Sequence, residues 1–160
     1  MVEPSLSNSA KKVQEALDQW GLSGRVVELP ATTRTATEAA QAVGCQVGQI
    51  AKSLLFKTKE TLRPVLVIVS GSNRVNEQGL AHLLGEAITK ADADFVRGQT
   101  GFVIGGVPPI GHKTAILTFV DEDLLQYEQI WAAAGTPFAV FHLTPAELTR
   151  IVPGRVINVK

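Results

Sequence analysis

The chain has 160 residues, 45% of them hydrophobic and 19% charged, with 15 Lys and Arg against 15 Asp and Glu. That size and balance fit one folded domain, expected to span residues 1–160, with a real hydrophobic core, and exclude a disordered chain. The missing positive excess excludes a protein that grips a long stretch of nucleic acid, so any such contact is expected to be local or confined to one end of the polymer.

Residues 7–20 read as an amphipathic helix, with Leu6, Ala10, Val13, Leu17 and Trp20 on one side, a serine cap and Gly21 as its stop. Val26–Leu29 is expected as a short strand ended by Pro30. Thr35-Ala-Thr-Glu38 has the spacing of a capping box and opens a second helix that Gly44 closes. Ala51–Thr58 and Val65–Ser70 read as neighbouring strands joined by the polar turn Lys59–Arg63. Short helices are expected over about 76–84 and 92–99, the second stopped by Gly101. After a glycine-proline loop, Ala115–Val120 reads as a strand, and Asp121 as the cap of a helix reaching Trp131. Phe138–Leu143 is β-like, Thr144-Pro-Ala-Glu147 opens another helix, and Val156–Val159 closes the sheet. Hairpins mixed with crossovers point to an α/β fold with a compact, mixed, barrel-like sheet flanked by helices.

The longest apolar runs, such as 65–69, are far too short to cross a bilayer. The opening Met1-Val-Glu-Pro-Ser lacks the basic patch and apolar stretch of a secretory signal, and the lone Cys45 forms no internal disulfide, so cytoplasmic residence is expected. Residues 82, 112 and 142 are the three histidines, at intervals that suit no metal site; no metal and no cofactor are expected.

Two features carry chemistry. The first is the loop Gly101-Phe-Val-Ile-Gly-Gly-Val-Pro-Pro-Ile-Gly-His-Lys-Thr114, whose run of apolar residues reads as strand-like before it opens. Its glycines let main chain approach a ligand, while Pro108 and Pro109 stiffen it, so its N–H groups could receive an oxygen. A tight turn between strands explains the same loop equally well. The second is Lys52, a cation inside the apolar run Ile50-Ala-Lys-Ser-Leu-Leu-Phe56. Either its stem snorkels to water, or it points into a pocket to hold a phosphate or a developing oxyanion. His112, at the end of the loop, is placed to reach a ligand. No nucleophile elbow, Walker loop or dinucleotide fingerprint is present.

Thr37-Glu-Ala-Ala-Gln-Ala-Val-Gly44, Gln49-Ile-Ala-Lys-Ser-Leu-Leu-Phe56 and Thr100-Gly-Phe-Val-Ile-Gly-Gly-Val-Pro-Pro-Ile-Gly111 follow one another in an order that resembles the YbaK-like aminoacyl-tRNA deacylases. These are free-standing relatives of the editing domain inserted in bacterial prolyl-tRNA synthetases. The resemblance covers about residues 5–159. It implies a mixed sheet around a pocket and hydrolysis of the ester joining a wrong small amino acid (cysteine, alanine, serine or threonine) to the tRNA 3′ end. It makes Lys52, Gly105 and Gly106 the expected catalytic groups. Gly101, Pro109, Gly111, His112, Ser53 and Asn76 are the expected substrate contacts. His112 stands where some members carry Gln, so a base there is no family-wide requirement, and Asn76 stands where some carry Asp, which speaks against a general base at 76. The expected partner is the acceptor end of a misacylated tRNA, with a synthetase as a second partner.

Chemistry and resemblance agree. An aminoacyl ester is already activated, so water attack needs positioning and oxyanion stabilisation more than a protein nucleophile. Two rival readings use the same pocket: a binding module for an aminoacyl or nucleotide group without turnover, and a small-molecule esterase.

Overall fold

Local signals set the ends of the helices in the computed structural model, which describes residues 6–160; the expectation resting on Met1–Ser5 lies outside them. Helix α1 (Asn8–Asp18) starts where the Ser7 hydroxyl accepts from the Ala10 N–H, and it buries Ala10, Val13 and Leu17. After strand β1 (Val26–Glu28), helix α2 (Ala36–Val43) begins at the Thr35 side chain and ends at Gly44, which is left-handed. A single 3-10 turn then feeds the nine-residue strand β2 (Ile50–Thr58), which turns through residues 59–63 into β3 (Pro64–Ser70). Asn76 caps α3 (Glu77–Leu84), and Asp92 caps α4 (Ala93–Thr100). Between them lies the three-residue strand β4 (Ile88–Lys90).

Past the glycine loop come β5 (Leu117–Asp121), β6 (Ile130–Ala133), β7 (Ala139–Leu143), α5 (Pro145–Ile151) and β8 (Arg155–Ile157). The capping box expected at Thr144 is complete, with both reciprocal hydrogen bonds. At Thr35 only the forward half forms.

Two local expectations are corrected, and one strand is added that the sequence did not announce. Asp121 does cap a turn, but the helix expected to reach Trp131 is only the 3-10 segment Glu122–Gln126, and Ile130–Ala133 is a strand. The buried Asp121 carboxylate is shared with the Ser70 N–H and the Asn73 side chain, which pins the segment to β3. The run Ile130-Trp-Ala-Ala then has a slot to fill between β2 and β7, and pairing overrides its helical periodicity. Strand β4 was invisible because three residues carry no period. The run after Gly101 forms no strand; Phe102 and Val107 are core residues of a loop.

The strands form one mixed sheet in the order β1-β7-β6-β2-β3-β5-β8, with β4 on the outer edge of β2. The mixed α/β class with flanking helices is as expected, and no pairing joins β8 to β1. The β2–β3 register, Ala51 opposite Ser70 through Lys57 opposite Pro64, sorts side chains between two faces. Ala51 and Leu55 join Leu66, Ile68 and Val120 in the main core, under α1, α4, α5 and the glycine loop. Leu54 and Phe56 join Val65, Val67, Val69 and Phe119 on the other face, where α3 adds Leu80. Among the described residues no helix is long and apolar enough to cross a membrane.

Candidate active site

The site arises from an interrupted edge. Strand β6 runs parallel to β2 only at Ile50 and Ala51, and β4 pairs with β2 only from Phe56 to Thr58. Between them Lys52, Ser53, Leu54 and Leu55 have a strand on one side alone. A cavity of about 650 Å³ opens there, and every residue from Ile50 to Phe56 lines it. Consecutive strand residues point to opposite faces, so the cavity passes by the open edge from one face of the sheet to the other.

Its two ends differ. On the face of Lys52 the walls include Arg74, Glu77 and Lys90; on the face of Ser53 they are Ala51, Leu55, Ala91, Val96 and Val107, and Arg34 lines the cavity against Gly105. None of the four cations pairs with a carboxylate, Glu77 included, among the described residues. A chain of zero net charge thus concentrates unpaired positive charge at one opening. Burial first, then the charges of Arg74 and Lys90, pull the half-buried Lys52 ammonium below the usual lysine pKa.

Lys52, Ser53 and Gly105 line this cavity together. Gly105 has φ +84, and a β-carbon there would come within 2.9 Å of Arg34 Cγ, so only glycine lets Arg34 lie across the loop. Arg34 is held in turn by Thr33, whose N–H and hydroxyl both donate to the Pro137 carbonyl, at 2.6 and 2.9 Å.

The other expected site residues do not line the cavity. The Gly106 N–H donates to the Val103 carbonyl at 3.0 Å and its carbonyl accepts from Gly135, so the amide expected to stabilise an oxyanion is already used in folding the loop. Gly101 is the left-handed cap of α4, its N–H bonded to the Arg97 carbonyl. Pro109 is packed in the interior, and Gly111 turns the chain at the surface with φ +81. His112 is tied back to the Pro108 carbonyl (Nε2 to O, 2.6 Å), and burial lowers its pKa against the opposing effect of that bond. Asn76 caps α3, its side chain accepting from the Gly79 N–H at 2.9 Å, and lines a separate cavity beside β8. The signature loop therefore serves mostly to build a rigid wall, and Gly105 alone of its expected residues reaches the cavity.

Sequence reasoning missed Arg34, Arg74 and Lys90. Each is an isolated cation in or next to a loop, with no pattern around it; only the fold gathers them.

The comparisons with known proteins converge on one family. The family model for the aminoacyl-tRNA editing domain matches residues 30–151. A solved structure described as a "putative trans-editing enzyme for prolyl tRNA synthetase" is 50% identical and superposes with a TM-score of 0.90, covering 98% of this chain and 99% of that one. The hypothetical protein APE2540 is 30% identical at a TM-score of 0.84, over 92% and 98% of the two chains. Among curated proteins, YwhH of Bacillus subtilis, uncharacterized, is 28% identical over 88% of this chain and 89% of its own. The Enterococcus faecalis protein named "Putative Cys-tRNA(Pro)/Cys-tRNA(Cys) deacylase EbsC" is 25% identical over 78% of this chain and 76% of its own. A proline--tRNA ligase of Limosilactobacillus fermentum is 35% identical over 56% of this chain, a stretch that makes up 16% of the ligase.

The chain belongs to the aminoacyl-tRNA editing domain family. The enzyme class expected from the resemblance, an aminoacyl-tRNA deacylase, is the class that these relatives define.

Proposed function

We propose that the protein is a single-domain trans-editing hydrolase of the cytoplasm that cleaves the ester between a small, wrongly attached amino acid and the 3′ end of a tRNA. One observation carries this reading: Lys52 and Gly105 meet in a single cavity with an unpaired cationic mouth and an apolar floor. Such a cavity suits a ligand that is anionic at one end and small and apolar at the other. An aminoacylated acceptor end has that form, with phosphates outside and the amino acid within.

In this reading Arg74 and Lys90 take phosphates of the terminal nucleotides, and the floor of Ala51, Leu55, Ala91, Val96 and Val107 limits the amino acid to a small side chain. Lys52, drawn toward neutrality yet still a donor, holds the ribose end of the ester and supports the developing oxyanion. Among the described residues the Gly105 N–H has no hydrogen-bond partner, so it is a loop amide free to assist it. No protein base is required where water attacks an activated ester that is already held in register and is aided by a substrate hydroxyl or amine. Neutral net charge fits the same picture, because only the acceptor end is gripped. The cysteine, alanine, serine and threonine esters are the candidate substrates, and a prolyl-tRNA synthetase is the candidate partner, given the relatives above.

The test is a panel of radiolabelled aminoacyl-tRNAs. Release of label from a small-residue ester with the tRNA intact supports editing. Retention of label with tight binding would instead indicate a recognition module, and cleavage of free aminoacyl esters without preference for tRNA an esterase.

A further inference from the structure

The interrupted edge of β2 leaves a second set of polar groups facing the cavity, besides the cations. The Gly71 N–H donates to the Ile50 carbonyl on the side of β3, at 2.7 Å, and the Ala91 N–H donates to the Leu55 carbonyl on the opposite side, at 3.1 Å. Along a strand the main-chain groups alternate between the two edges, so Ala51, Ser53 and Leu55 all aim their N–H and C=O outward, away from β3. Pairing with β6 ends at Ala51, and pairing with β4 resumes at Phe56. Both main-chain groups of Ser53 fall in the gap without a ladder partner. Its hydroxyl, on the apolar side, is buried and has no hydrogen-bond partner among the described residues.

Buried polar groups are rarely left unpaired, and a buried free hydroxyl beside two main-chain groups with no ladder partner, all on one cavity-lining residue, marks a place where something else completes them. The missing piece has a defined shape. A residue facing Ser53 in a sheet would supply one N–H for its carbonyl and one C=O for its N–H, on adjacent atoms. An α-aminoacyl group carries that pair: an ammonium and an ester carbonyl flanking one Cα.

We propose that the aminoacyl group docks as a one-residue extension of the sheet, its α-ammonium donating to the Ser53 carbonyl and its ester carbonyl accepting from the Ser53 N–H. This rests on the editing reading above and specifies how the site recognises its substrate class. Residues paired across a ladder project their side chains to the same face, so an L-amino acid points its side chain at the floor with Ala51, Leu55, Val96 and Val107. Lys52, on the other face, is left facing the ribose. A D-amino acid in the same pairing sends its side chain toward Lys52 and Leu54 instead. An α-hydroxy acid lacks the charged donor. The main-chain pairing therefore selects L-aminoacyl groups that carry a free α-ammonium, while the apolar floor sets the size of side chain that fits.

The experiment uses acceptor-stem microhelices carrying the acyl group through a non-hydrolysable 3′-amide, with the full-length protein labelled with ¹⁵N at serine. Saturation with the L-alanyl microhelix is expected to move the Ser53 amide resonance downfield and slow its exchange with solvent. The D-alanyl and L-lactyl microhelices are expected to bind about tenfold more weakly or worse. A Ser53 amide that stays unchanged at saturation, equal affinity for the three microhelices, or no binding of the L-alanyl form would each overturn the proposal. These readouts are independent of turnover. A protein that binds in this way yet releases no amino acid from any tRNA leaves this proposal standing and removes the deacylase reading; turnover with a silent Ser53 amide does the reverse.

Discussion

The Arg34 side chain lies so closely over the main chain of Gly105 that a β-carbon there would stand 2.9 Å from Arg34 Cγ. The contact joins the strap after β1 to the wall of the cavity, and it uses the one loop glycine that reaches the site. Gly105→Ala is expected to displace Arg34 and to strain a backbone at φ +84, costing about 1–2 kcal/mol of stability along with activity. Arg34→Ala in the same chain should relieve the collision but not the strain. Deacylation rates and urea unfolding of both single variants and the pair measure the two effects separately.

Gly106→Ala should behave differently. Its β-carbon would meet Thr136 main-chain atoms at 2.7–2.8 Å, and backbone cannot step aside as an arginine can. A stability loss of about 1–3 kcal/mol is expected, with the folded fraction still active at low temperature. If this variant proves as stable as the parent but inactive, the Gly106 amide has a chemical role after all.

Lys52→Ala is expected to lower kcat/KM about 100-fold or more with little change in melting temperature, because the side chain projects into open cavity and has no ion-pair partner. Lys52→Arg should not restore the rate, since a planar guanidinium cannot replace a compact ammonium in the same space. The lowered pKa of Lys52 also sets a pH dependence: activity that needs the charged form declines as pH rises through that lowered value, earlier than for an ordinary lysine. Arg74→Ala or Lys90→Ala removes a repelling charge and moves the decline to higher pH. A pH–rate profile of each variant reads the shift directly.

The same two substitutions test the phosphate contacts. Each is expected to raise KM more than it lowers kcat, and to reduce the slope of log affinity against log salt by about 0.7 for a single-stranded end. Filter binding of an acceptor microhelix across a salt series provides the measurement. A slope identical to that of the parent would remove that residue from the RNA path.

His112 contributes to stability rather than to chemistry. Burial holds its folded pKa below the unfolded value of about 6.5, so the unfolded chain takes up a proton that the folded one refuses. The stability from the neutral imidazole is therefore complete above that pH and is lost as pH falls toward the folded pKa. Thermal melts from neutral to mildly acidic pH should show this loss in the parent and a smaller one in His112→Gln. Turnover of that variant is expected to stay within a few-fold of the parent at neutral pH, because residue 112 does not line the cavity; a loss of about 10³-fold would make it a base.

Much of this molecule could be read from local chemistry. The caps at Ser7, Thr35, Asn76, Asp92 and Thr144, with the left-handed glycines 44 and 101, fixed helix ends to within a residue or two, because a cap is a bond between near neighbours. Lys52 was conspicuous because an apolar strand seldom carries a cation. Tertiary structure alone decided the rest. Residues 130–133 became a strand because β2 and β7 offered edges to pair with. Gly105 separated from Gly106 because one amide closes a turn and the other does not. Arg34, Arg74 and Lys90, scattered over 57 positions of sequence, came to line one cavity with Lys52 only when the gap between β6 and β4 opened it. Propensities and caps act over three or four residues; a cavity is what remains between elements once their packing is complete, and no short segment encodes it.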